Sequence, residues 1–184
     1  MSSEFQRHKI SNVFHLMDTD HNGVLEESDF AALAERWASY REGTDRHLVQ
    51  ALMMGWWATL LAASDEDADP AEGEVSLEGT LRVVDRLGDM TSSVEGTAKA
   101  MFEIIDENGD DLISAEEYNR LIEVWNGFPI DTDTTFSLLD LNDDGYLTKE
   151  EFILLWTQFW VGDNPDEPGT WMFGRFEFPE ARVG

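Results

Sequence analysis

Three stretches of twelve residues align without a gap: DTDHNGVLEESD at 18–29, DENGDDLISAEE at 106–117 and DLNDDGYLTKEE at 140–151. Oxygen-bearing side chains stand at the first, third and fifth positions: Asp18, Asp20 and Asn22; Asp106, Asn108 and Asp110; Asp140, Asn142 and Asp144. Glycine holds the sixth position in two copies, Gly23 and Gly145, and Asp111 holds it in the other. The eighth position is apolar (Leu25, Ile113, Leu147), and the twelfth is acidic (Asp29, Glu117, Glu151). Several independent requirements met three times in register exclude a chance acidic surface loop. Carboxylates this dense repel one another unless a cation stands between them.

Each loop is framed by apolar residues at helical spacing. Ile10, Val13, Phe14 and Met17 precede the first, and Phe30, Leu33, Trp37 and Tyr40 follow it. Ala98, Met101, Phe102 and Ile105 precede 106–117, with Leu121, Ile122 and Trp125 after it; Phe152, Leu155, Trp156 and Phe159 follow 140–151. These aromatic stripes read as core packing. Helix–loop–helix with a 12-residue acidic loop is the EF-hand, whose ligands come from positions 1, 3, 5, 7, 9 and 12. The ligand sets are therefore Asp18, Asp20, Asn22, Val24 (backbone carbonyl), Glu26 and Asp29; Asp106, Asn108, Asp110, Leu112 (backbone carbonyl), Ser114 and Glu117; and Asp140, Asn142, Asp144, Tyr146 (backbone carbonyl), Thr148 and Glu151. Ser114 with Glu117 and Thr148 with Glu151 also form capping boxes that open the exiting helices. Glu26 with Asp29 makes a poorer cap.

EF-hands work in pairs, so three predict a fourth, and the candidate is SDEDADPAEGEVSLEGT at 64–80. With Gly73 at position 6 and Val75 at position 8, Ala68, Pro70 and Gly79 fall at positions 1, 3 and 12. With Asp67 at position 1 and Glu78 at 12, the turning glycine and the apolar strand residue are lost. Neither register supplies a cage, so this hand is expected to pair through Val75 and hold no metal. Between the first loop and this one, Thr44 is placed to cap a long helix bearing Leu48, Leu52, Trp56 and Leu60. LGDMTSSVEGT at 87–97, with two glycines and a Thr-Ser-Ser run, argues against a continuous linker helix and for two lobes folded together.

The chain carries 39 acidic residues against 12 basic ones, a formal net charge of −27. Such a field repels nucleic acid and anionic membranes and attracts cations. The absence of cysteine removes disulfides, thiolate metal sites and cysteine nucleophiles. MSSEFQRHKI lacks the apolar core of a secretory signal, and ALMMGWWATLLAA at 51–63 is too short to span a bilayer, so a cytoplasmic protein is expected. No phosphate loop, dinucleotide glycine pattern or paired-histidine motif is present, and the chain does not read as an enzyme.

The silent second hand, the lengthened first pair and the acidic run into aromatics, FWVGDNPDEPGTWMFGRF at 159–176, resemble the sarcoplasmic calcium-binding proteins and their calerythrin-like bacterial relatives. The resemblance implies a compact all-α fold of four EF-hands in two pairs, with about eight main helices and short two-stranded β-bridges between paired loops. The N-terminal pair is placed at 1–90, the C-terminal pair at 91–161 and a tail at 162–184, with Trp171, Phe173 and Phe176 packing back on the body. It also implies a calcium buffer, expected to be monomeric, with Ca2+ at three sites; the alternative is a sensor that exposes a groove for a protein target. Two departures stand out. Asp111 replaces the turning glycine, which aspartate tolerates at some cost. Asp29 is a methylene shorter than glutamate, so loop 18–29 is expected to bind calcium more weakly and to admit Mg2+. The calcium-regulated photoproteins share the scaffold, but here no His follows His47 and no Tyr follows Tyr146.

Overall fold

The apolar stripes around the three loops lie inside the computed structural model, which describes residues 3–39, 45–63, 73–127 and 130–174. Tyr40, Thr44, Phe176 and loop residues 68–72 fall outside the described residues. The entering and exiting helices are α1 (Glu4–Met17) and α2 (Glu27–Ser39), α3 (Asp45–Ala63) and α4 (Leu77–Leu87), α5 (Thr91–Ile105) and α6 (Ala115–Asn126), and α7 (Asp133–Leu139) and α8 (Lys149–Val161). A 3-10 turn (Gly88–Met90) joins α4 to α5, and another (Pro168–Trp171) follows α8. Three-residue strands tie the loops: β1 (Val24–Glu26) pairs antiparallel with β2 (Glu74–Ser76), and β3 (Leu112–Ser114) with β4 (Tyr146–Thr148). The eighth positions face each other, Leu25 opposite Val75 and Ile113 opposite Leu147, and all four are buried.

One expectation changes in part, since Leu52, Trp56 and Leu60 pack against the core but are not its most buried residues. On α3 the buried residues are Val49, Met53 and Trp57, while Leu48 is 51% exposed. This helix is apolar on most of its circumference, so more than one i, i+4 stripe reads equally well and packing chooses between them. The 87–97 segment is interrupted, as its composition suggests, but only briefly. Gly88 adopts right-handed helical angles, Gly96 lies within α5, and the only departure is the 3-10 turn at 88–90. That 3-10 turn separates α4 from α5.

Two of the few basic residues fasten the first two helices to the last hands. Lys9 on α1 is 1% exposed and donates through Nζ to the carbonyls of Gly162 (2.6 Å) and Gln158 (3.3 Å) at the end of α8. Its ammonium also lies 5.2 Å from the ring centroids of Phe5 and Phe159. Arg36 on α2 donates through Nη1 to the Val124 carbonyl (3.2 Å) in the last turn of α6. Cations at helix C-termini satisfy orphan carbonyls and oppose the negative end of the helix dipole. The tail is held too: Tyr118 donates to the Met172 carbonyl (3.1 Å), and Met172 and Phe173 are buried. Phe173 stands edge-on to Phe159, with centroids 4.7 Å apart, and against Trp125 and Trp156.

Burial lowers the Lys9 pKa to about 8, against the opposing pull of Asp163 and Glu167. A lysine pKa that is lower in the folded state favours unfolding while both states are protonated. Stability should therefore rise with pH from about 8 towards the ordinary lysine value of 10.5. In saturating calcium, denaturation midpoints should show a gain on the order of 1–3 kcal/mol over this window. In Lys9→Met that rise should vanish; an equal rise in the variant would assign it to another group.

Candidate metal centres

The three acidic loops are built from the same hydrogen bonds. The first-position carboxylate accepts backbone N–H groups from positions 5 and 6. Asp18 takes them from Asn22 (3.2 Å) and Gly23 (2.9 Å), Asp106 from Asp110 (3.3 Å) and Asp111 (3.0 Å), and Asp140 from Asp144 (3.3 Å) and Gly145 (2.8 Å). Position 3 accepts from the N–H of position 5, and position 5 from that of position 7, in every copy. The backbone thus curls around its own acidic side chains, and Asp18, Asp106 and Asp140 are at most 9% exposed.

The twelfth residue closes the loop. Glu117 accepts from the N–H of Glu107 (3.1 Å) at position 2 through Oε1 and of Ser114 (2.9 Å) at position 9 through Oε2. Glu151 accepts from Thr148 N–H (3.4 Å) through Oε2 and from the Asn142 side-chain amide (3.2 Å) through Oε1. Both expected capping boxes form in full. Asp29, 1% exposed, does the same despite its shorter reach. Its Oδ2 accepts from Glu26 N–H (2.9 Å), and its Oδ1 from both Thr19 N–H (3.0 Å) and the Thr19 hydroxyl (2.9 Å). The Glu26 carboxylate accepts from the Asn22 amide (2.9 Å).

The structure brings carboxylate oxygens of Asp18, Asp20 and Asp29 within 4.8 Å of one another. That spacing suits hard cations, which bind oxygens at about 2.0–2.6 Å. Among the described residues this is the one group of three acidic side chains that converges so closely; at position 3, where it has Asp20, the other loops have Asn108 and Asn142. Desolvation, a hydrogen bond with Asp18 and the charges of Asp29 and Asp18 push the Asp20 carboxyl above its ordinary pKa, against a lowering bond from Asn22 N–H. All donors are oxygen, as hard divalent cations require.

Asp111 adopts φ 62°, the left-handed turn that Gly23 (90°) and Gly145 (84°) make at the same position. Gly109 at position 4 is the sequence's one hint of a second such position, which His21 and Asp143 hide in the other loops. Position 4 is left-handed in each loop, at His21 (58°), Gly109 (69°) and Asp143 (56°). The middle loop therefore carries its glycine two residues early. The Thr19–Asp29 bond was missed; a hydroxyl at position 2 opposite a short acid at position 12 is its sequence signal.

In the silent hand, Gly73 has φ 61° and Val75 pairs with Leu25, which selects the register with Gly79 at position 12. Gly79 offers no oxygen from its side chain. The neighbouring Glu78 is exposed and paired with Arg7 at 2.5 Å.

Residues 95–157 match the EF-hand domain pair family. The alpha chain of the sarcoplasmic calcium-binding protein of Penaeus vannamei is 28% identical over 172 residues, covering 84% of this chain and 86% of that one. The sarcoplasmic calcium-binding protein of amphioxus superposes with a TM-score of 0.71 at 18% identity, over 96% of this chain and 100% of that one. The chain is thus similar to the sarcoplasmic calcium-binding proteins along most of its length, and its second half matches the EF-hand domain pair. The calcium-loaded apo coelenterazine-binding protein of Renilla muelleri shares the fold, with a TM-score of 0.70 at 18% identity over 95% of this chain and 99% of that one. As in any EF-hand protein, the loop turns must be affordable to the backbone, and here the middle loop is the test. A Cβ at Gly109 meets nothing within 4 Å, so the cost of adding one is backbone strain alone.

Asp111→Gly should stabilise the protein by roughly 0.5–1 kcal/mol, and Gly109→Ala should destabilise it by about 1 kcal/mol or more, in thermal denaturation. Asp111→Asn, which removes the charge but keeps tolerance for positive φ, should move stability little. An equal gain in Asn and Gly variants would make charge, not strain, the cause.

Proposed function

We propose that the chain binds calcium at the loops 18–29, 106–117 and 140–151 and acts as a calcium buffer, with magnesium competing at 18–29. The observation that carries the reading is the recurrence of one closed, oxygen-lined loop in three registers. In each, the carboxylates at positions 1 and 12 are fixed by backbone N–H groups before a cation arrives. Ligation is assigned to positions 1, 3, 5, 9 and 12 and to the carbonyls of Val24, Leu112 and Tyr146. Pre-organised ligands lose little freedom on binding, which favours affinity.

The first loop differs in chemistry. Oδ1 of Asp29 already accepts two donors, which occupies both of its lone pairs and leaves Oδ2 to face a cation. One oxygen from position 12 gives six-fold coordination, the number magnesium demands. Each carboxylate oxygen of Glu117 and Glu151 accepts one of the bonds above, so both oxygens retain a lone pair for calcium.

Buffer rather than sensor behaviour is supported by the way the pairs hold each other. Lys9 and Arg36 cap helix ends of the opposite half, and the Tyr118 bond pins the segment after α8 onto α6. Opening a groove would break these links together. We assign 1–90 and 91–161 as the two EF-hand pairs and 162–184 as the tail that braces the second.

Calorimetric titration of chelator-stripped protein should resolve two tight calcium sites that survive millimolar magnesium and one that magnesium displaces. Glu117→Gln and Glu151→Gln should each remove one tight site. Asp29→Glu should make the first site resist magnesium. Three sites equally sensitive to magnesium would refute the role given to Asp29, and fewer than three in total would refute the assignment of the loops.

A further inference from the structure

Position 2 of an acidic loop supplies no ligand to the cation. In two of the three loops its side chain is engaged elsewhere: the Glu107 carboxylate pairs with Arg120, and Leu141 is 54% exposed. The first loop is different. Thr19 donates its hydroxyl proton to Oδ1 of Asp29 at position 12 (2.9 Å), beside its own backbone N–H on the same oxygen (3.0 Å). A carboxylate only accepts, so the hydroxyl has no other role in this bond.

The corresponding oxygen of the middle loop, Oε1 of Glu117, accepts one backbone N–H, from Glu107 at 3.1 Å. One hydroxyl therefore separates an oxygen with a lone pair left for a cation from one without. Asp29 is buried and Thr19 half-buried, so the bond is shielded from water. Its acceptor is charged, which makes it stronger than a bond between neutral groups. The remaining oxygen, Oδ2, is set by the Glu26 N–H (2.9 Å), so three bonds fix the carboxylate in place. Calcium takes a variable number of oxygens, whereas magnesium demands a near-octahedral shell. An additional oxygen from Asp29 would serve calcium alone.

We propose that Thr19 determines the cation selectivity of the first loop: its hydroxyl holds Oδ1 of Asp29 out of the coordination shell, so that position 12 meets the cation with one oxygen and calcium loses its advantage over magnesium. Thr19 touches no cation and acts through Asp29, which makes it a positioning residue. This role rests on cation binding at 18–29, and it places the cause of magnesium tolerance in position 2 as well as in the shortness of Asp29.

Calorimetric competition on the full chain gives the ratio of magnesium to calcium dissociation constants at the magnesium-sensitive site. Thr19→Val keeps the shape and removes the donor, so the preference for calcium should rise roughly tenfold, the scale of one hydrogen bond to a charged group. Thr19→Ala removes the same donor and should shift the ratio in the same direction. Thr19→Ser keeps a hydroxyl and should keep the parent ratio. In the infrared spectrum, calcium-loaded Thr19→Val should gain intensity over the parent in the antisymmetric stretch of bidentate carboxylates, a change that a merely loosened loop would not produce. The proposal is overturned if neither the Val nor the Ala variant shifts the ratio, if Thr19→Ser shifts it as Thr19→Val does, or if the ratio moves without that gain in the infrared band. Asp18→Ala separates the two failures. If it removes a site while Thr19→Val leaves the ratio unchanged, only the role of Thr19 falls; if it removes none, the metal assignment of loop 18–29 falls and this role with it.

Discussion

The first and middle acidic loops depend on a carboxylate at the far end accepting two N–H groups from the loop's own backbone, and the last on one with a backbone N–H and the Asn142 amide. Glu117 joins positions 2 and 9 of its loop, and Asp29 does the same in the first. Because position 2 follows the entering helix and position 9 caps the exiting one, this side chain sets the relation between two helices. The helices then present their apolar stripes inward, and the eighth residues meet across the β-bridge. Loop chemistry therefore precedes packing. Ionised acceptors make stronger hydrogen bonds than neutral ones, so losing one at position 12 would loosen both helices as well as the loop.

Charge shapes how the two halves meet. With 39 acids and 12 bases, attraction between surfaces of opposite charge cannot be the main adhesive. The chain instead places Lys9 and Arg36 against helix C-termini, where the partner is a row of carbonyls and not a carboxylate. This spends scarce cations where four orphan acceptors end each helix. Apolar contact supplies the rest: the aromatic cluster of Trp125, Trp156, Phe159 and Phe173 joins α6, α8 and the segment that follows.

Much of this was legible in the sequence because it is local. The loop register, capping boxes and flanking stripes each follow from residues within a few positions of one another, and 3.6-residue periodicity exposes the buried face where the other face is polar. Legibility failed where local signals are degenerate. Around α3, apolar residues occupy most positions, so Leu48 reads as well as Val49 until the neighbours are in place. Gly88 reads as a break, and the break is only a 3-10 turn at helical angles, with the Thr91 hydroxyl bonded to the Gly88 carbonyl. Lys9 was invisible as a core residue, since lysine is rarely buried unless paired and its partners lie some 150 residues away in sequence. The left-handed fourth position is masked because three different residue types fill it.

The silent hand shows which parts of an EF-hand are separable. Its twelfth position is Gly79, but it keeps the turning Gly73, the strand residue Val75 and the cap from Ser76 to the Gly79 N–H. Pairing with β1 needs only backbone hydrogen bonds and one apolar contact, so the first loop retains its partner without a second cage. Freed from closing around an oxygen-lined site, α3 and α4 are constrained mainly by what they pack against. These two helices furnish Trp56, Leu60, Val83 and Val84 to the wall of a cavity that Met17, Phe30, Val94 and Trp156 complete.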